Sequence, residues 1–304
     1  MQPVAASTLT LGDISVTHLA DGYHRCDPVG SIVGSTADDW ARHPHLVDDR
    51  GRLVMSMGSL LVRTADGQHA LIDLGFGPNT LILADLHMEF WGGRLLRSLE
   101  AVGLQAADID VVLYSHLHLD HVGWTTGADD ALSFPNARHV MATAEWEHWT
   151  SGPRIGGPSD AAVAALPERL ELVDGEADVL PGVTVLPTPG HTPGHCSFRL
   201  TSGRHRAVVL GDAVHCPLQI THPEWNYAGD VVPEAAARSR AALVRELEQP
   251  DTVTVGAHFT DAVFGRVLAD TAPRRVAFDV APPAEVQTFA PEAPEGALFL
   301  PPLD

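Results

Sequence analysis

The stretch YSHLHLDHVG, residues 114–123, holds His116, His118, Asp120 and His121 within six consecutive positions. Imidazole and carboxylate are the ligands that borderline and hard divalent metals favour. On extended backbone, the i, i+2 spacing of His116 and His118 turns both rings to the same side. Asp120 and His121 follow as the chain turns. One short loop therefore offers four donors, more than a single tetrahedral ion needs once further donors arrive from elsewhere.

Three later segments supply them. LPTPGHTPGH (186–195) carries His191 in a rigid Pro/Gly turn, VVLGDAVH (208–215) ends an apolar strand at Asp212, and VTVGAHF (253–259) does the same at His258. Each candidate stands just beyond a buried strand, where a rigid scaffold presents functional groups. Taken alone, His191 or His258 would read as a turn or core histidine; four such segments in order read as a site. The set holds five histidines and two aspartates, enough for two ions with one carboxylate shared. Two ions about 3.5–4 Å apart supply Lewis acidity and a water activated near neutral pH, the chemistry of hydrolysis at carbon or phosphorus. Asp120, with an oxygen to spare, can orient the nucleophile or carry its proton. His215 has a side chain suited to a general acid or a donor to a substrate oxygen, with a packing histidine as the alternative. His195 fits a structural role, since one ligand per turn fills the site.

HLHLDH, TPGHTPGH, LGD and GAH, with LIDLG (71–75) upstream, resemble the metallo-β-lactamase superfamily over about residues 8–260. The resemblance implies an α/β fold, an αβ/βα four-layer sandwich of two mixed β-sheets flanked by helices, with the metals in a cleft at one sheet edge. By that likeness His116, His118 and His191 hold one metal, Asp120, His121 and His258 hold the other, and Asp212 bridges. Zinc is the first expectation, with iron, manganese or cobalt as alternatives. Asp73 resembles the family's buried acidic residue that orients the ligand loop. WGGRLLRSLEAVGLQAADIDVVLYSHLHLDHVG (91–123) and PEAAARSRAALVREL (233–247) resemble the acyl-homoserine lactonase and methyl-parathion hydrolase branch. This implies a dinuclear hydrolase of esters or lactones. The alternatives are phosphotriester cleavage at the same site and an iron-dependent oxidoreductase of the same fold. The best-known β-lactamases carry cysteine where Asp212 stands. The chain departs from the lactonases at His215, where they place a tyrosine.

The elements that must position these groups are legible in outline. Strands are expected at residues 8–19, in a hairpin over 52–77 around Asp66-Gly67, at 108–115, 138–142, 183–187, 195–200 and 206–210, and last at 251–258. Helices are expected at 92–102, closed by Gly103, and from Pro233 or Glu234 to Glu248, with proline in the tolerated first turn. Strands alternate with helices, but the hairpins exclude a purely parallel sheet; two mixed sheets with outer helices satisfy the pattern. Residues 21–51 and 78–91 read as lids or binding loops, or as surface loops over the core. Residues 1–280 are expected to form a single domain, with 281–304 a Pro-rich tail on the surface. Met55, Met57, Phe90, Trp91, Trp225 and Tyr227 could wall the cleft and favour a small, uncharged or acyl-bearing substrate.

Composition bounds the partners. Of 304 residues, 45% are hydrophobic and 19% charged, so the chain is globular and large enough to fold without metal staples. The net charge of −20, from 39 acidic and 19 basic side chains, repels nucleic acid and anionic membranes. Cys26, Cys196 and Cys216 form no metal or disulfide pattern. Without a signal peptide or an apolar span, the expected location is the cytoplasm, and the expected partner is a small molecule, with a homodimer as a further possibility.

Overall fold

The computed structural model describes residues 7–260, 262–268, 275–278 and 298–299. Among the described residues, one mixed sheet has ten strands, running in space from Leu170–Val173 through Arg138–Ala142, Val111–Leu113, His69–Ile72 and Leu53–Arg63 to the long strand Ile14–Cys26. Beyond it lie Met88–Trp91, Thr80–Leu83 and Leu298–Phe299, while Ser7–Leu11 pairs with the start of Ile14–Cys26. The second sheet has seven strands: Ala177–Leu180, Val183–Pro187, Cys196–Ser202, His205–Val209, Thr252–Val255, Phe264–Leu268 and Arg275–Phe278.

The central strands are apolar on both faces because each sheet is covered twice. Leu60, Val62, Val111 and Leu113 point between the sheets, where they meet Phe198, Leu200, Val209 and Val255 of the second sheet. Their neighbours Leu61 and Val112 point outward, against Leu95 and Leu99 of the helix Leu95–Ala101 and Trp149 of the helix Thr143–Thr150. On the far side, Val208 and Leu210 pack on Leu243, Val244 and Leu247 of the helix Pro233–Leu247. Ala236, Arg240, Leu243, Val244 and Leu247 are the buried stripe of that helix, at its 3.6-residue period. The result is the expected αβ/βα sandwich.

Several local expectations change. The first strand is a hairpin, bent at Gly12 with φ +60°. Residues 21–26 continue the second strand, and residues 28–46 fold into short helical turns and a two-residue strand. The stretch 78–91 is a strand pair of the first sheet, Thr80–Leu83 with Met88–Trp91, rather than a loop. Its run of apolar residues lacks the alternation that marks a strand. The segment 251–258 is not the last strand. Its ladder spans Thr252–Val255, and two antiparallel strands follow it. The proposed surface tail, 281–304, lies outside the described residues apart from Leu298–Phe299, which pair with Leu81–Ile82. Among the described residues, no helix is long and apolar enough to cross a membrane.

A bulge between Ala20 and Gly22 turns Asp21 inward, wholly buried. Its Oδ1 accepts from the backbone N–H groups of Gly93, Arg94 and Leu95 and from Trp124 Nε1, and its Oδ2 from Phe76 and Gly77 N–H. One carboxylate thus ties three loops together, including the segment just after His121. Asp21→Ala leaves these donors unpaired in the interior and should lower stability by at least about 3 kcal/mol in urea denaturation; a loss under about 1 kcal/mol would contradict this role.

Candidate metal centre

The strand Val111–Leu113 ends before the histidine cluster, and residues 116–118 run on without a ladder before a turn in which His121 N–H donates to His118 C=O (2.9 Å). His116 Nε2 and His118 Nδ1 stand 2.9 Å apart, and His191 Nε2 is 2.9 Å from the same His118 atom. Three ring nitrogens from two distant loops therefore meet at one point.

Asp212, wholly inside, faces this trio and a second group with different oxygens. Its Oδ2 is 3.8 Å from His116 Nε2 and 3.4 Å from His191 Nε2. Its Oδ1 is 3.2 Å from His121 Nε2 and 2.9 Å from His258 Nε2. Asp120 Oδ2 completes the second group, 3.7 Å from His121 Nε2 and 3.9 Å from His258 Nε2. His116–His118–His191 and Asp120–His121–His258 are each close enough to share one cation. His215 joins the cluster too: its Nε2 is 3.2 Å from Asp212 Oδ2, and Tyr227 stacks on its ring at 3.9 Å.

The outward nitrogens are tied to acceptors, which sets the tautomers. His121 Nδ1–H donates to Asp73 Oδ2 (2.9 Å), His191 Nδ1–H to Asp230 Oδ1 (2.9 Å), and His258 Nδ1–H to Ser56 C=O (2.7 Å). Ser115 Oγ–H donates to Asp73 Oδ2 (2.7 Å), so its oxygen accepts from His116 Nδ1–H (3.0 Å). Each Nε2 lone pair is thereby left pointing inward. Asp73 also accepts from Ser115 N–H and sits at φ +60°, a backbone position costly for a non-glycine residue. Asp230 is held in turn by the buried Arg240 at 3.3 Å. His195 is no part of either trio. Its Nε2 accepts the Asp212 N–H at 2.9 Å, so it fixes the shared aspartate through the backbone.

The donor set fits divalent cations. His121 Nε2 and His258 Nε2 face Asp212 Oδ1 at 3.2 and 2.9 Å without the alignment of a hydrogen bond, a buried arrangement that is expensive unless a cation satisfies all three atoms. Burial holds the His116 ring well below its usual range and pushes His118 down to about 3, so both rings are neutral. Burial opposes charge on His121 as well, yet Asp212, Asp120 and Asp73 together hold it well above the usual histidine range. Burial also works against ionised Asp212, but the surrounding imidazoles keep it ionised. The second trio therefore calls for positive charge.

The apolar wall is divided. Met55 and Trp225 pack in one buried cluster with Tyr227 at its edge, and Met57 and Phe90 in another beside Leu119 of the ligand loop. Trp91 instead stacks on Tyr23. Sequence reasoning gave no role to Asp230 or to His24, which carry no local spacing signal. His24 stacks on Phe90 at 4.0 Å, has a buried unpartnered Nε2, and feels the charges of Asp120 and Asp212.

The pattern of the metallo-beta-lactamase superfamily matches residues 59–258, which include every residue of the two trios and Asp212. The chain belongs to the metallo-β-lactamase superfamily. It is 32% identical over 188 residues to an N-acyl homoserine lactonase of a Bacillus species, covering 61% of this chain and 68% of that one. Alignments with other N-acyl homoserine lactonases span as little as 53% of their length. A probable metal-dependent hydrolase from Staphylococcus aureus superposes with a TM-score of 0.79 at 22% identity, covering 89% of this chain and 98% of that one. The dizinc quorum-quenching lactonase AidC superposes with a TM-score of 0.77 at 23% identity, covering 90% and 97%. The metallo-β-lactamase fold of the chain is that of these hydrolases.

Protons compete with metal for the same lone pairs, and His121 retains its proton to unusually high pH. Metal retained after dialysis should therefore be high at pH 8 and fall steeply toward pH 5, read by atomic absorption; retention independent of pH would contradict the assignment of these nitrogens as ligands.

Proposed function

We propose that the chain is a dinuclear metal-dependent hydrolase of esters or lactones. The observation that carries this reading is the carboxylate of Asp212, one oxygen toward His116 and His191 and the other toward His121 and His258. In this reading His116, His118 and His191 hold one ion, Asp120, His121 and His258 the other, and Asp212 both. Zinc suits the imidazole-rich donors best; iron, manganese and cobalt suit them as well. Two such ions, when bound, supply Lewis acidity and a water ionised near neutral pH.

The remaining steps belong to the side chains. Asp120 faces His121 and His258 through Oδ2, leaving its other oxygen to orient the attacking water or take its proton. His215 donates to a substrate oxygen or the leaving group. Burial pushes its pKa down to about 4 against the pull of Asp212, so it is a neutral ring with one N–H to offer, and neither nitrogen has another partner. The stacked Tyr227 holds that ring in place. The apolar clusters that hold Met55, with Tyr227 at its edge, and Phe90, beside Leu119, favour an uncharged or acyl-bearing substrate over a phosphorylated one. The relatives named N-acyl homoserine lactonases support a lactone as the first candidate.

The test pairs metal analysis with turnover of acyl-homoserine lactones, aryl esters, a thioester and a phosphotriester. About two ions per chain are expected, with lactone or ester cleavage fastest. Less than about 1.5 ions in an active preparation, or cleavage of the phosphotriester alone, would overturn the proposal. His215→Gln should lower kcat by about a hundredfold and alter the pH–rate profile; an unchanged rate and profile would remove His215 from the chemistry.

A further inference from the structure

We infer that Glu145 is a positioning residue for the metal centre, a buried carboxylate that locks together the two loops carrying His116, His118 and His191. The inference rests on the dinuclear reading above. Glu145 lies in the first turn of the helix Thr143–Thr150 and is fully shielded from solvent. Its Oε1 accepts from Leu117 N–H (2.9 Å) and Trp149 Nε1–H (2.7 Å). Its Oε2 accepts from Thr192 Oγ1–H (2.6 Å) and Gly194 N–H (3.1 Å).

The identity of the donors is what matters. Leu117 sits between His116 and His118, so anchoring its N–H fixes the stretch whose two rings meet at 2.9 Å. Thr192 follows His191 directly and Gly194 comes two residues later, so the second oxygen fixes the turn that delivers the third ring. The three nitrogens meet at 2.9 Å separations although the loops lie more than 70 residues apart. The Gly194 loop lies directly on the helix, since a Cβ there would come within 2.1 Å of Glu145 N. A separate bond, Cys196 N–H to Ser115 C=O at 2.8 Å, joins the same two loops and keeps them paired in the fold without the carboxylate. Glu145 therefore sets the angle of the ligands rather than the existence of the loops. Hydrogen bonds to a charged acceptor are strong enough to hold such an angle.

Glu145→Gln tests this at nearly constant volume. Whichever way its amide is turned, the NH2 end faces two donors and two of the four bonds are lost. Dissociation constants for both ions are measured by chelator competition with cobalt(II), beside wild type and Leu200→Ala, a core change remote from the ligands. Glu145→Gln is expected to stay folded and to weaken one of the two ions by about 10–100-fold, leaving the other unchanged. Leu200→Ala should lower Tm with both constants unchanged. Unchanged constants in Glu145→Gln, or equal losses in both variants, would overturn the inference. A wild type that binds only one ion overturns the dinuclear reading instead, and Glu145 is then judged on the affinity of that ion.

Discussion

The centre depends on one unfavourable arrangement, a buried aspartate ringed by imidazoles. Asp212 is approached by His116, His121, His191, His215 and His258 within 3.8 Å. Protonating all these rings would crowd like charges; leaving them neutral strands lone pairs and a carboxylate away from water. Cations resolve both difficulties at once, which is why the cluster reads as a metal centre rather than as a polar patch in the core.

A fold can hold such a cluster only if each ring is denied alternatives. The sandwich does this by bringing strand ends of both sheets to one edge and tying the outer nitrogens to fixed acceptors: Asp73, Asp230, the Ser56 carbonyl and the Ser115 hydroxyl. Those acceptors are themselves held. Asp230 is braced by Arg240 on the long helix, and Asp73 by its place beside Leu113, at a strained backbone angle. His195 performs the same service for Asp212 through its amide. Rigidity of this kind leaves the inner lone pairs aimed into the cluster and at little else.

Beside the histidine–aspartate cluster, His215 stands where the sequence resemblance leads to a tyrosine, and it packs face to face with Tyr227. An imidazole is a shorter side chain than a phenol, and this one is held against Asp212 Oδ2 at 3.2 Å. His24 and Phe90, stacked on the opposite strand pair, add a second aromatic surface close to the charged cluster.

The ligand types were legible because metal chemistry restricts them to few residues at short spacings: HLHLDH within one loop, then a histidine or aspartate at the end of three apolar strands. The central strands were legible from their doubly buried apolar runs, and Arg138–Ala142 and Val183–Pro187 fall where the pattern put them. The pair Thr80–Leu83 and Met88–Trp91 was not, since an apolar stretch without alternation does not reveal its partner. Asp230, Glu145 and Asp21 were invisible as supports because each acts on donors far away in sequence, and no local spacing encodes a contact made across the fold. By itself the sequence determined which residues offer metal-type donors and which strands carry them. Tertiary structure alone decided that Asp212 divides its two oxygens between two groups, since that depends on angles set by carboxylates and carbonyls drawn from separate parts of the chain.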